Sequence, residues 1–184
     1  MRRESSTADR ILAAARAEFA AHGRAGGRTE RIARRAGVNK QLIHYYFRTK
    51  DGLYRSALAD AAAELARTLA RTPLVGLTAV ERLRRLLRVQ FDLLMERDEL
   101  TRLLAQGDGD PRWADAAIAP VVALLTEGQA TGFFRDEIDP VQHARQALVL
   151  QLAFFAPNRL AASWSTAGAW RDATTDLIVR GCTW

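Results

Sequence analysis

Three side chains near position 40 carry the chemistry best suited to reading a nucleic acid: Lys40, Gln41 and His44. On a helix turning about 100° per residue they share one arc with Tyr45, while Leu42, Ile43, Tyr46 and Phe47 take the opposite arc. Ile43 and Phe47, one turn apart, are the predicted anchors. Lysine donates to guanine O6 and N7, glutamine pairs bidentately with adenine N6 and N7, and histidine donates or accepts. Tyr45 can donate to a phosphate oxygen. Lys50 opens the next predicted helix, where the macrodipole disfavours a cation unless a phosphate bridges it and the free amides. Polar residues on one helix face are by themselves an ordinary wetted surface, so their setting decides what they do.

That setting is a turn. A short helix is predicted from about Thr29 to Ala36, with Ile32, Ala33 and Ala36 inward. Gly37 is suited to a left-handed C-cap, with apolar Val38 after it. Asn39 is an N-cap for a helix over Lys40 to Phe47. Two helices joined through three or four residues that include a glycine form a helix-turn-helix. Charge agrees. Residues 1–50 carry 12 Lys/Arg against 4 Asp/Glu, while the remainder carries 15 against 17, so the net +6 belongs to one end. A basic head on a slightly acidic body points to a polyanion partner for the head.

The remaining elements are predicted helices too. The first runs from about Ser6 to Ala21, with Ile11, Leu12, Ala15 and Phe19 as its stripe, and Gly23 stops it. Thr49 caps a fourth helix to about Arg71, and Thr72-Pro73 with Gly76 form the clearest boundary in the chain. Thr78 to Glu81 is a capping box that opens a fifth helix to about Arg97. Further helices are predicted over about 100–106, 114–130, 140–155 and 167–180. A Gly-Asp-Gly-Asp-Pro turn covers 107–111, and Pro157 ends the helix opened by Asp139-Pro140. No alternating strand pattern and no internal repeat occurs. The fold class is therefore all-α. Residues 1–50 are expected to form a helix-turn-helix domain, 51–72 a linking helix, and 73–184 a helical effector-binding and dimerisation domain.

The stretch Arg10 to Ala15 with Phe19-Ala20 and Gly23 resembles the first helix of TetR-family regulators. Ile32 to Lys40 resembles their second helix and turn, and Ile43 to Leu53 their recognition helix and the start of the linking helix. The likeness covers about residues 7–58. A fainter likeness lies in Glu127 to Arg135. The resemblance implies a homodimer with two DNA heads and an effector-binding body. It places Lys40, Gln41 and His44 at base-facing positions, and Tyr45, Tyr46 and Lys50 at phosphate-facing ones; Arg28 and Thr29, at the start of the second helix, are further candidate phosphate contacts outside the family pattern. Two departures stand out. Gly27-Arg28 occupies the place of the Thr-Thr or Ser-Thr pair that usually opens the second helix, and Gln41 stands where a small residue is common.

For the body, the family role implies an apolar pocket, with Phe91, Met95, Trp113, Phe133 and Phe134 as candidate lining. Ala144, Ala147, Leu148, Gln151, Leu152 and Phe155 on one helix, with Trp170, Ala173, Thr174 and Leu177 on the last, are the candidate dimer faces of a four-helix bundle. The three histidines have no ligand spacing to one another or to Cys182, and no phosphate loop or nucleophile elbow occurs, so neither catalysis, metal nor cofactor is expected. No apolar run reaches eighteen residues and no signal-peptide core is present; a cytoplasmic protein that does not enter membranes is expected. The predicted partners are a palindromic operator in double-stranded DNA, an unidentified small molecule and a second copy of the chain. The competing reading is a ligand-binding or interaction protein whose DNA head is inactive.

Overall fold

The computed structural model describes residues 6–107, 112–156 and 166–184. Most of the turn expected over 107–111, and the stop at Pro157, lie outside the described residues. The described chain contains nine helices and no strand: α1 (Thr7–Gly26), α2 (Thr29–Ala36), α3 (Lys40–Phe47), α4 (Lys50–Ala70), α5 (Ala79–Glu96), α6 (Asp98–Ala105), α7 (Arg112–Ala130), α8 (Pro140–Ala153) and α9 (Ala167–Cys182). The all-α class holds, with helix ends shifted by one or two residues from the predicted bounds in most places.

Local chemistry sets most of those ends. Ser6 and Asp9 form a reciprocal capping box at α1, with bonds of 3.0 and 3.1 Å. Gly23 (φ 67°, ψ 176°) breaks α1 where the sequence stops it, yet one more turn follows as far as Gly26. Gly37 is left-handed at φ 65°; its N–H bonds the Arg34 carbonyl and that of Val38 bonds the Ala33 carbonyl. Asn39 Oδ1 accepts the Gln41 N–H at 2.9 Å, Thr49 Oγ1 accepts that of Gly52 at 2.9 Å, and Thr78 with Glu81 forms the expected capping box of α5. Pro120 lies inside α7, which runs through it. Asp139 caps α8 through the Val141 and Gln142 amides.

The second helix begins at Thr29, as the sequence suggests, but its cap comes from outside the helix. Arg28 occupies its N-cap and makes no side-chain cap bond. Instead Glu18, nearly buried on α1, accepts the Arg28 N–H at 2.9 Å and pairs with the Arg31 guanidinium at 2.6 Å. Gly27 lies under Phe19, where an added Cβ would fall 2.5 Å from the ring. A threonine therefore does not fit at position 27, and a carboxylate from α1 supplies the cap from outside the helix. Burial raises the Glu18 pKa, but the bonds from Arg31 and the Arg28 amide, with the charges of Arg31 and His22, outweigh it and hold the carboxyl below its ordinary value.

A single buried cluster runs from Ile11 through Leu53, Leu65, Leu87 and Leu125 to Cys182, so head and body share a core. α4 packs on both α1 and α7, and α6 lies against α1. In the body, Gln90 is fully buried with both amide atoms unpartnered, and Gln151 Nε2 donates to the Leu87 carbonyl at 2.8 Å.

Two outcomes follow. Gln90→Met keeps the side-chain length and removes both unpartnered polar atoms, so it should stabilise the protein by about 1–3 kcal/mol in urea unfolding; a loss of stability would reveal a partner for the amide. Glu18→Ala leaves the Arg28 amide without its acceptor and Arg31 without its carboxylate, and should destabilise by about 1–3 kcal/mol in the same measurement. Because the Glu18 pKa is depressed on folding, its contribution is present above the ordinary carboxylate range. It is lost as pH falls through the depressed value, so the wild-type excess over Glu18→Ala should shrink on acidification and not on raising the pH.

Candidate nucleic-acid interface

An eight-residue helix is too short to persist alone, so α3 depends on what holds it. Its one fully anchored side chain is Ile43, 3% exposed, with Phe47 half-buried behind it. Lys40, Gln41 and His44 are all exposed. Tyr45 is 69% exposed and Tyr46 44%, their rings meeting edge-on at 5.1 Å. Leu42 and Tyr46, predicted on the buried arc, are instead on the surface. A short helix resting on its neighbours along one narrow line covers Ile43 and part of Phe47 and leaves the rest in water. The exposed Tyr46 sits where the family resemblance puts it rather than where the helical arc does.

The chain then turns sharply. Arg48 has φ 64° and ψ −56°, a left-handed geometry costly for a side chain, and the Thr49 N–H reaches the Phe47 carbonyl at 2.7 Å. The next helix crowds that carbonyl so closely that a Cβ at Gly52 would lie 2.3 Å from it. This turn brings Lys50 beside the end of α1, where its ammonium donates to the Ala25 carbonyl at 2.9 Å. Arg24 pairs with Asp51 nearby at 3.0 Å. Arg28 is exposed and Thr29 half-exposed at the α2 N-terminus. Basic groups thus stand at the starts of the helices on either side of α3 in the chain, Arg28 at α2 and Lys50 at α4. Lys40 is paired with Glu30 of α2, and that bond, with Glu30's own amide, holds the Glu30 carboxyl below its usual range. Glu18 and Arg48 are structural positions of the head that sequence reasoning missed. Glu18 carried a signal, since it is a carboxylate beside Phe19 on the apolar side of α1.

Head and body meet through polar ties as well as packing. Arg16 of α1 pairs with Asp60 at 2.9 Å and Glu64 at 2.8 Å on α4, and with Glu99 of α6 at 3.3 Å; Arg97 also holds Glu64 at 2.6 Å. Gln106, just after α6, donates to the Ala20 carbonyl at 3.1 Å and accepts from the Tyr54 hydroxyl at 3.0 Å through its own carbonyl.

The aromatic candidates of the body do not share one cavity. Phe91 is buried against Phe154 and Phe155. Phe134 is buried under Gly128, while Met95 and Phe133 are exposed. Trp113 lies over Gly107 and lines a cleft between α1, α6, α7 and α8. Of the candidate dimer residues, Ala144, Ala147, Leu148, Gln151 and Thr174 are buried within the protomer, and Leu152, Phe155, Trp170 and Ala173 are half-buried. Leu148, Leu152 and Phe155 line the same cleft as Trp113. Leu177, at 60% exposure, stands with Val149, at 65%, beside an open groove between α8 and α9. Among the described residues no helix is long and apolar enough to cross a membrane, and no group of His, Cys, Asp and Glu is placed to hold a metal.

Comparison with known proteins agrees with this geometry. Residues 11–57, which contain α2, the turn and α3, match the bacterial regulatory proteins of the tetR family. The chain is 28% identical to the HTH-type transcriptional repressor NicS of Pseudomonas putida, over 95% of this chain and 92% of that protein. It is 49% identical to the HTH-type transcriptional repressor SCO4008 of Streptomyces coelicolor over 61 residues, a third of each chain. The fold superposes with a TM-score of 0.75 on the regulator FadR of Bacillus subtilis, solved in complex with stearoyl-CoA, at 19% identity over 94% of this chain and 97% of that one. The head built as described, over residues 11–57, is similar to that of the tetR family of bacterial transcriptional regulators.

Proposed function

We propose that this regulator is a repressor that binds a palindromic operator as a homodimer and is released from it by a small molecule. The observation that carries the reading is α3 itself: anchored by Ile43 with Phe47 half-buried, it presents Lys40, Gln41 and His44 outward on one arc. These three meet base edges in the major groove, while Arg28, Thr29, Tyr45, Tyr46 and Lys50 meet phosphates and set the register. Glu30 holds Lys40 in the free protein, and an exposed pair of this kind is cheap to exchange for a guanine edge or a phosphate.

A homodimer joins through α8 and α9, whose surface retains Val149 and Leu177 beside the groove between them. An isologous contact there places two copies of α3 on one side of a duplex, and they must lie ~34–36 Å apart to enter successive major grooves. A small molecule that binds better to a body conformation with another spacing shifts the population away from DNA. NicS and SCO4008, both repressors, support repression, and the FadR complex supports a small-molecule effector. DNA binding in the cytoplasm needs neither a cofactor nor catalysis.

Electrophoretic shift of intergenic DNA from beside the coding region tests the reading; failure to shift any such fragment would favour a ligand-binding protein with an inactive head. Within a shifted complex the two classes of contact should separate. Gln41→Ala and His44→Ala should relax preference at particular base pairs, each by about 1–3 kcal/mol. Lys50→Ala should weaken all sequences alike and reduce the salt slope by roughly 1 per subunit. Identical behaviour of the two classes would refute the contact assignment. Glu30→Ala, which frees Lys40, should tighten binding at low salt in an anisotropy titration; weaker binding would show that Glu30 positions the lysine rather than restrains it.

A further inference from the structure

The cleft bounded by α1, α6, α7 and α8 has a volume of about 980 Å³, ample for a drug-sized molecule. We propose that it is the effector site, and that its ligand is an elongated apolar molecule ending in a carboxylate. This deepens the reading of the chain as a ligand-released regulator and rests on it.

The chemistry of the lining carries the ligand class. Leu104, Trp113, Leu148, Leu152 and Phe155 give an apolar wall. The ionisable groups among the described lining residues are Arg102 and Arg145, both cationic. Their aspartate partners, Asp98 and Asp115, stand outside the lining. Both ion pairs are partly solvated, so each holds its arginine weakly, and a ligand carboxylate can take over the guanidinium fork. A cationic ligand would meet two like charges, and a neutral one would leave the fork unused.

Position carries the regulatory role. Ala20 and Ala21 of α1 line the cleft together with Gln106, whose amide donates to the Ala20 carbonyl and whose own carbonyl accepts from Tyr54. A ligand there touches the first helix of the DNA head directly. Wedged between α6 and α1, it strains the Gln106–Ala20 bond, with no relay through the body.

Isothermal titration calorimetry of the full chain with dodecanoate, dodecan-1-ol and dodecylamine, each below its micellar or solubility limit, tests the assignment. Dodecanoate should bind, the alcohol about tenfold or more weakly, and the amine not measurably. Arg145→Gln should lower dodecanoate affinity about tenfold or more, Arg145→Lys should recover part of it, and Ala153→Trp, which fills the cleft, should abolish it. A thermal melt of each variant identifies any that fails to fold. Equal affinity for acid and alcohol, or no binding of the acid, overturns the ligand class. Undiminished binding to folded Ala153→Trp overturns the site. Dodecanoate that binds yet leaves the DNA complex intact overturns the effector role. Failure to bind DNA without any ligand instead overturns the regulator reading, and calorimetry still decides the cleft.

Discussion

The head depends on one constraint: a two-turn helix must be held firmly enough to enter a groove while almost none of its surface is buried. Helix formation is too costly to initiate for α3 to persist by its own hydrogen bonds. It is held by Ile43 on one side and at its two ends by backbone devices. Gly37 and Asn39 fix its entry, and the left-handed turn at Arg48, closed by Thr49 and Gly52, fixes its exit. Because the restraints sit at the ends, the outer arc is free to carry any side chains that suit an operator. That separation of support from recognition lets Gln41 stand where the family usually has a small residue.

The same economy governs α2. Its missing N-terminal cap is replaced from α1 by Glu18, and Gly27 keeps the backbone close enough to Phe19 for that carboxylate to reach. A buried carboxylate is costly unless paired, and here it has both an amide and a guanidinium. The first two helices of the head are thereby tied by a specific contact as well as by apolar packing. The head is in turn tied to the body through Arg16, with its carboxylates on α4 and α6, and through Gln106. A displacement of α6 relative to α1 must break or stretch the Arg16–Glu99 and Gln106–Ala20 contacts.

Much of this was legible in the residues. Asn39, Gly37, Thr49, Thr78 and Asp139 announced their caps because capping is local chemistry that needs no tertiary information. Lys40, Gln41 and His44 were legible because the three-residue turn and the helical period together define an outward arc. Tyr46 and Leu42 were not, since helical phase says which residues share a face but not how wide a strip the neighbours cover. The replacement cap at α2 was hidden because Glu18 lies ten residues before Arg28 and reaches it only through the fold. The arrangement of the body was the least legible. Ala144, Ala147 and Leu148 form an apolar stripe that reads equally as a core face or a dimer face, and packing of α7 and α8 within the protomer took it. Aromatic residues such as Phe91 and Phe133 are similar as letters, yet one is buried among rings and the other faces water.

The central claim is that the exposed arc of α3 reads DNA from a symmetric pair. Hydroxyl-radical footprinting of the full chain on its own upstream intergenic DNA measures this directly. The account predicts protection on one face of the duplex in two half-sites related by dyad symmetry, with centres about one helical turn, ~34–36 Å, or a whole multiple of it apart. Protection confined to a single unpaired site, or cleavage no different from that of unrelated DNA at the same salt, would contradict it.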